Sequence, residues 1–281
     1  MSEENWDIEI RPKHSLFDLR LKDTWHYRDL LLLLVRRDFV SFYKQTILGP
    51  IWFFLQPIVT IMIYNLVFNN LAKISTDGVP ALLFYLAGTI MWNYFAECLT
   101  KTSTVFKDNA AMLGKVYFPR LIMPLSIVLS NLVRFAVQFI LFLVMMLINH
   151  AKIFPNVVLL LFPLLIVIIA ALGLGLGMIV SAVTTKYRDL AFVVTFGVPL
   201  LMYTTTVIYP LTTAIKKYPA YSWIIKYNPI TPVIETLRFG FLGKGSFSLP
   251  LLGYSAGVTA IILLIGIIIF NKVERTFVDT V

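Results

Sequence analysis

Six long apolar stretches divide the chain, separated by short polar or basic segments. The first, residues 51–71, contains no charged side chain. At about 1.5 Å per residue, a helix of that length crosses a hydrocarbon core of roughly 30 Å. Further spans are predicted at 82–100, 121–148, 156–183, 190–209 and 251–270. Between the last two the pattern changes: Pro210 to Pro250 is amphiphilic, with Trp223, Tyr227, Ile230, Val233, Ile234, Leu237, Phe239 and Phe241 spread along it. An unstructured loop of that length is uncommon, so two short helices that dip into the outer leaflet and return are expected there. Ahead of the first span, Trp25 to Phe39 places Tyr27, Leu30, Leu31 and Leu34 on one side of a helical wheel, with Arg28, Asp29 and Arg36 opposite. Leu32 and Leu33 blur that face, which suits either a lipid surface or a protein dock. The expected fold is an all-α polytopic membrane protein. A cytoplasmic region over 1–50 carries an amphipathic interface helix, and a six-span domain over 51–281 has re-entrant helices on the periplasmic side between spans five and six.

Composition agrees with the pattern, since 58% hydrophobic and 14% charged residues lie far from the usage of a soluble domain. The net charge of +9 raises nucleic acid as a partner. The basic residues, however, sit at span ends and in short loops, where topology and anionic membrane lipids account for them. Sixteen of the 24 Lys and Arg fall in segments 1–50, 101–120, 184–189 and 272–281, which places both chain ends in the cytoplasm. The first 22 residues lack the apolar core of a secretory signal. Cys98 is the single cysteine, which excludes an intrachain disulfide and a cysteine-rich metal site.

Enzymatic constellations are not assembled. His14, His26 and His150 are dispersed, and the spans hold too few acids for a catalytic triad, a carboxylate pair or an HExxH site. A membrane glycosyltransferase or lipid-modifying enzyme would need Asp, Glu or His clustered at a span end. No GxxxxGK[ST] occurs, and Gly240 to Ser246, GFLGKGS, has the wrong glycine spacing, so the chain is not expected to bind ATP itself. Gly173, Gly175 and Gly177 lack a following Lys-Ser/Thr, and the Gly173/Gly177 spacing reads as close helix packing. Arg134 is the most costly side chain in the spans, at about 2.5–3.5 kcal/mol on insertion scales unless it meets partners or water. With Gln138 one turn later it forms either a polar stripe along a conduit or a structural pair with Glu97.

Five segments in order carry a family likeness: RDLLLLLVRRDF, YKQTILGPIWFFLQP (43–57), KVYFPRLIMPLS (115–126), KYRDL (186–190) and NPITPVIETLRFGFLG (228–243). The set resembles the membrane subunit of type-2 ABC exporters, specifically the Wzm-like permeases that export O-antigen and related lipid-linked polysaccharides. Thr204 to Pro210, TTTVIYP, departs from the Ser-Pro that the family carries before Val-Ile-Tyr-Pro, which puts the bend of the fifth span in question. The resemblance implies a homodimer in the inner membrane with two copies of a separate Wzt-like ATPase, which would bind the ATP and Mg. It implies coupling to that ATPase through Arg36, Arg37 and Asp38, through Lys107, Asp108, Lys115, Tyr117, Phe118 and Pro119, and through Arg188 and Asp189. Pro119 and Pro124 would stiffen the coupling loop. A substrate path would use Tyr64, Trp92, Tyr94, Phe95, Glu97, Arg134, Gln138 and Tyr203, because sugars present apolar C–H faces to aromatic platforms; interfacial anchoring is the plainer account of any one aromatic. Asn228, Pro229 and Arg238 would belong to a periplasmic gate. Teichoic acid, capsule or small-molecule export by the same fold is the alternative.

Overall fold

The computed structural model describes residues 25–44, 46–113, 118–149, 156–187 and 189–277, and these contain helices and connections but no strand. Helix α1, Arg28–Tyr43, precedes the membrane body. Its predicted apolar side docks on protein: Leu34 is 1% exposed and shares a cluster with Phe118, Ile122 and Phe270, while Leu32 and Leu33 face outward. Gly49, at φ +52, and Pro50 turn the chain into α2, Trp52–Tyr64, which continues as a π-helical turn over Asn65–Leu71. In that wider turn Asn69 Nδ2 donates to Asn65 Oδ1 at 3.1 Å.

Four long helices complete the body: α3, Ala81–Ser103; α4, Ile122–Ile148; α5, Phe162–Lys186; and, at the end of the chain, α10, Leu249–Phe277. Pro124 and Pro163 stand in first turns, where a missing N–H costs nothing. Two single turns, Val105–Asp108 and Ala110–Leu113, follow α3. Helix α3 lies at the centre, with α5 packed along one side and α4 along another, and α10 packs on the far side of α5. The glycines of α5 set these distances. A Cβ on Gly173 would fall 2.8 Å from Cys98 Cβ, one on Gly177 would fall 2.6 Å from Thr102 Cβ, and one on Gly175 would fall 2.8 Å from Leu263 Cα. The Gly173/Gly177 pair therefore meets α3, and Gly175 meets α10.

Among the described residues, five helical segments are long and apolar enough to cross a bilayer: 49–71, 81–103, 122–148, 157–185 and 249–273. The stretch predicted as a helix over 190–209 differs. Its α-helix, α6, runs Leu190–Leu201 with Pro199 inside, and one 3-10 turn, Met202–Thr204, ends it. Beyond this the backbone is extended at Thr205. Two causes act together: Pro199 cannot donate to the helical ladder, and the hydroxyls of Thr204 and Thr205 bond back to the carbonyls of Leu201 and Met202 at 2.7 and 2.6 Å. The amphiphilic segment that follows holds three helices rather than the two expected: α7, Leu211–Lys217; α8, Ser222–Lys226; and α9, Thr231–Leu242. Gly243, at φ +63, closes α9 in the left-handed conformation.

The contact between α5 and α10 gives the first test. A methyl group on Gly266 would sit 2.5 Å from the Gly175 carbonyl oxygen, whereas Gly257 faces open space. Gly266→Ala should lower the unfolding temperature in detergent, at a cost of about 1–3 kcal/mol. Gly257→Ala should leave it unchanged, and equal melting of the two variants would contradict the packing.

Candidate functional site

Helical spacing brings polar side chains of α3 to one face, since Thr89, Asn93, Glu97, Thr100 and Lys101 recur every three or four residues. Ser130, Arg134 and Gln138 do the same on α4, and Gln56, Thr60 and Tyr64 on α2. These faces converge with Thr195, Val198, Pro199 and Met202 of α6 around a cleft of about 790 Å³. Asp38 and Ser41 of α1 line it too, so the helix ahead of the first span contributes directly to the cavity wall.

The charges of the cleft are organised by Glu97. Its Oε2 receives Arg134 Nη1 at 2.6 Å and Lys101 Nζ at 2.8 Å. Lys101 also donates to Asn131 Oδ1 at 3.2 Å, and the Arg134 guanidinium stands 5.9 Å from the centroid of the Phe53 ring. Arginine inside a span is tolerated because a carboxylate and an aromatic face replace its water. The pair with Glu97 thus forms, and it forms on the cleft wall. Asp38, the remaining charged residue of the lining, accepts from Arg37 Nε at 2.8 Å. Among the described residues no group of three His, Cys, Asp or Glu side chains could hold a metal ion.

The other residues singled out from the sequence divide by position. Tyr64, Trp92, Glu97, Arg134 and Gln138 line the cleft. Tyr94, Phe95 and Tyr203 are not part of that lining, and Tyr94 borders a small adjoining cavity with Asn93, Glu97, Arg134 and Gln138. Tyr94 and Phe95 are buried in the core, Tyr94 with its hydroxyl donating to the Val128 carbonyl at 3.4 Å. Tyr203 is 53% exposed on the outside of the fold. Helical phase is the reason for the first two, because the cleft face of α3 passes through 93 and 97 rather than 95. Among the coupling candidates, Arg36 and Arg37 are exposed on α1. Lys107 and Asp108 are exposed on a single turn, where Asp108 Oδ2 accepts from Thr104 Oγ1 at 2.6 Å. Phe118 and Pro119 are buried, Phe118 in the cluster that holds Leu34. Asp189 is exposed at the start of α6. Lys115, Tyr117 and Arg188 lie outside the described residues.

The gate candidates are tightly held. Asn228 Nδ2 donates to Thr204 Oγ1 at 3.1 Å and to the Thr204 carbonyl at 3.3 Å, while its Oδ1 accepts from Ile230 N–H at 3.0 Å. The Pro229 carbonyl accepts from Ser255 Oγ. Arg238 is 1% exposed, inside the protein rather than on a mobile surface. Its neighbour Glu235, also buried, accepts from Ser246 N–H at 3.0 Å and Ser246 Oγ at 3.1 Å. Sequence reasoning passed over Glu235 and, apart from Tyr64 and Gln138, the cleft hydroxyls and amides. The available signals were the Glu235/Arg238 i,i+3 spacing and the polar periodicity within spans two and three.

Comparison with known proteins adds to this geometry. Residues 29–242 match the family model described as ABC-2 type transporter. The chain is similar to the O-antigen export system permease protein RfbA of Myxococcus xanthus, at 27% identity over 261 residues, covering 93% of this chain and 98% of that protein. It is also similar to two Klebsiella pneumoniae proteins of the same name, each at 27% identity over 253 residues, covering 89% of this chain and 94% of theirs.

Glu97 provides the test of the cleft wall. Glu97→Gln leaves Lys101 and Arg134 without their shared carboxylate and should cost roughly 1–3 kcal/mol, less than for a fully buried pair because Glu97 is half-buried. Combining it with Arg134→Leu should cost less than the sum of the single changes in a detergent unfolding series. Strict additivity would show that the pair contributes nothing.

Proposed function

The chain belongs to the ABC-2 type transporter family, and on that premise we propose that it is the membrane subunit of an ATP-driven exporter. Its cargo is a lipid-linked polysaccharide of the O-antigen type, moved from the cytoplasm to the outer side of the inner membrane. The observation that carries this reading is the cleft. Within apolar helices it combines hydroxyl and amide side chains with Tyr64 and Trp92, and its few charges are already paired. Such a surface offers sugar hydroxyls exchangeable hydrogen bonds and sugar C–H faces an aromatic platform, without a fixed charge that would trap the cargo.

In this reading α6 and the non-helical segment after it make the fifth of six crossings. Both chain ends are cytoplasmic, and α7 to α9 form the outer gate. Two copies of the chain stand side by side, each exposing the apolar flanks of α2 and α6 to lipid or to the other copy. ATP and Mg belong to a separate ATPase, also in two copies, and force arrives through contact. The cluster of Leu34, Phe118, Ile122 and Phe270 supports this route, because it packs the loop before α4 against α1, and α1 reaches the cleft through Asp38. A push on that loop would move the cleft wall without passing through a soft linker.

Two variants test the proposal in complexes with the ATPase. Scrambling residues 115–119 should abolish ATP-driven export and uncouple hydrolysis from the permease; survival of both would refute the route. Arg134→Leu should reduce export at least several-fold with the complex still assembled. Loss of assembly would assign the Arg134 pair to stability alone.

A further inference from the structure

The cleft ends at a buried arginine. Thr89 and Met202 belong to its lining, and immediately beyond them α3 continues to Gly88 and Phe84 while α6 gives way to the non-helical segment 205–210. A chain that stops being helical at membrane depth exposes carbonyls that neither water nor lipid can satisfy, at several kcal/mol each. Arg238 of α9 supplies the missing donors. Nη1 donates to the Thr206 carbonyl at 2.5 Å, and Nη2 donates to the Val207 carbonyl at 2.9 Å and to the Phe84 carbonyl at 3.1 Å. The guanidinium also covers the Phe84 ring at 3.5 Å, with Glu235 Oε1 3.5 Å from Nη1 as its counter-charge. One side chain therefore ties together α3, the non-helical segment and α9.

The surroundings of this joint are polar and buried. Thr89 Oγ1, Thr206 Oγ1 and Thr231 Oγ1 are buried with no hydrogen-bond partner among the described residues. They lie on the three segments that meet at Arg238 and would take up water if the joint loosened. Space is fully used as well: a Cβ on Gly88 would fall 2.7 Å from Nη2 and 3.0 Å from Val207 Cα.

We infer that Arg238 is a positioning residue for export. It bolts the non-helical end of the fifth segment to α3 and α9, and so seals the outer end of the cleft against water and ions between transport events. The direction "outer" rests on the exporter reading above; the bolt itself rests on the contacts. Asn228, bonded to Thr204 from a half-buried position, is the secondary fastener of the same segment.

The test uses the full chain in complex with its ATPase, in proteoliposomes without nucleotide or glycan, and follows the collapse of an imposed pH gradient. Arg238→Lys keeps the charge but replaces a planar fork with a point charge that cannot hold carbonyls on two segments. It should raise the leak on the order of tenfold, as expected when water enters a polar joint at membrane depth. Gly88→Ala, which drives a methyl into the joint and leaves the arginine in place, should do the same. Gly197→Ala, in open space, should remain tight. A tight membrane from either bolt variant that assembles, or failure of both to assemble, overturns the sealing role. Because no cargo is needed, a failed leak test is distinct from a parent complex that exports no polysaccharide.

Discussion

The structure depends on one constraint: inside a bilayer no water is at hand to satisfy a backbone group left without a partner. Helices meet it along most of the chain by closing their own ladders. Where Pro199 and the threonines after it end α6 early, the same demand is met from outside by a guanidinium, and this decides how the outer part is built. Burying an arginine is expensive, yet here it receives backbone carbonyls, a carboxylate and a ring face in return for its hydration. A residue first considered as a gate is thereby better described as part of the frame against which a gate would work.

A second polar exception lies deeper. Arg134 and Lys101 share one oxygen of Glu97, and hydroxyls and amides make up most of the remaining polar surface of the cleft. The cleft is bounded at one end by α1 and at the other by the Arg238 joint. The buried cluster of Leu34 and Phe118 connects the loop before α4 to the first of these.

Much of the architecture was legible in the residues because hydrophobic length is a strong signal. The spans at 51–71, 82–100, 121–148, 156–183 and 251–270 agree with the apolar, membrane-length helical segments to within three residues at each end. The docking face of α1 followed from Leu30, Leu31 and Leu34 at helical spacing, and the glycines of α5 followed from GxxxG. Within the fifth stretch the α-helix stops at Leu201, because apolarity alone does not reveal a proline and two threonines competing with it. The burial of Tyr94 and Phe95 away from the cleft lining was not legible from residue type, because helical phase relative to α4 and α5 around α3 determines it. Glu235 escaped notice since a single acid beside an arginine resembles an ordinary surface pair until both are found buried.

The central claim is that this chain conducts a glycan but is driven by another. Its most direct test is translocation of a lipid-linked polysaccharide across vesicles that hold the chain with or without its ATPase, scored by glycan reaching the face opposite the motor. The account predicts passage only when ATPase and hydrolysable ATP are both present. Passage through the chain alone, or none from the fully energised complex, would contradict it.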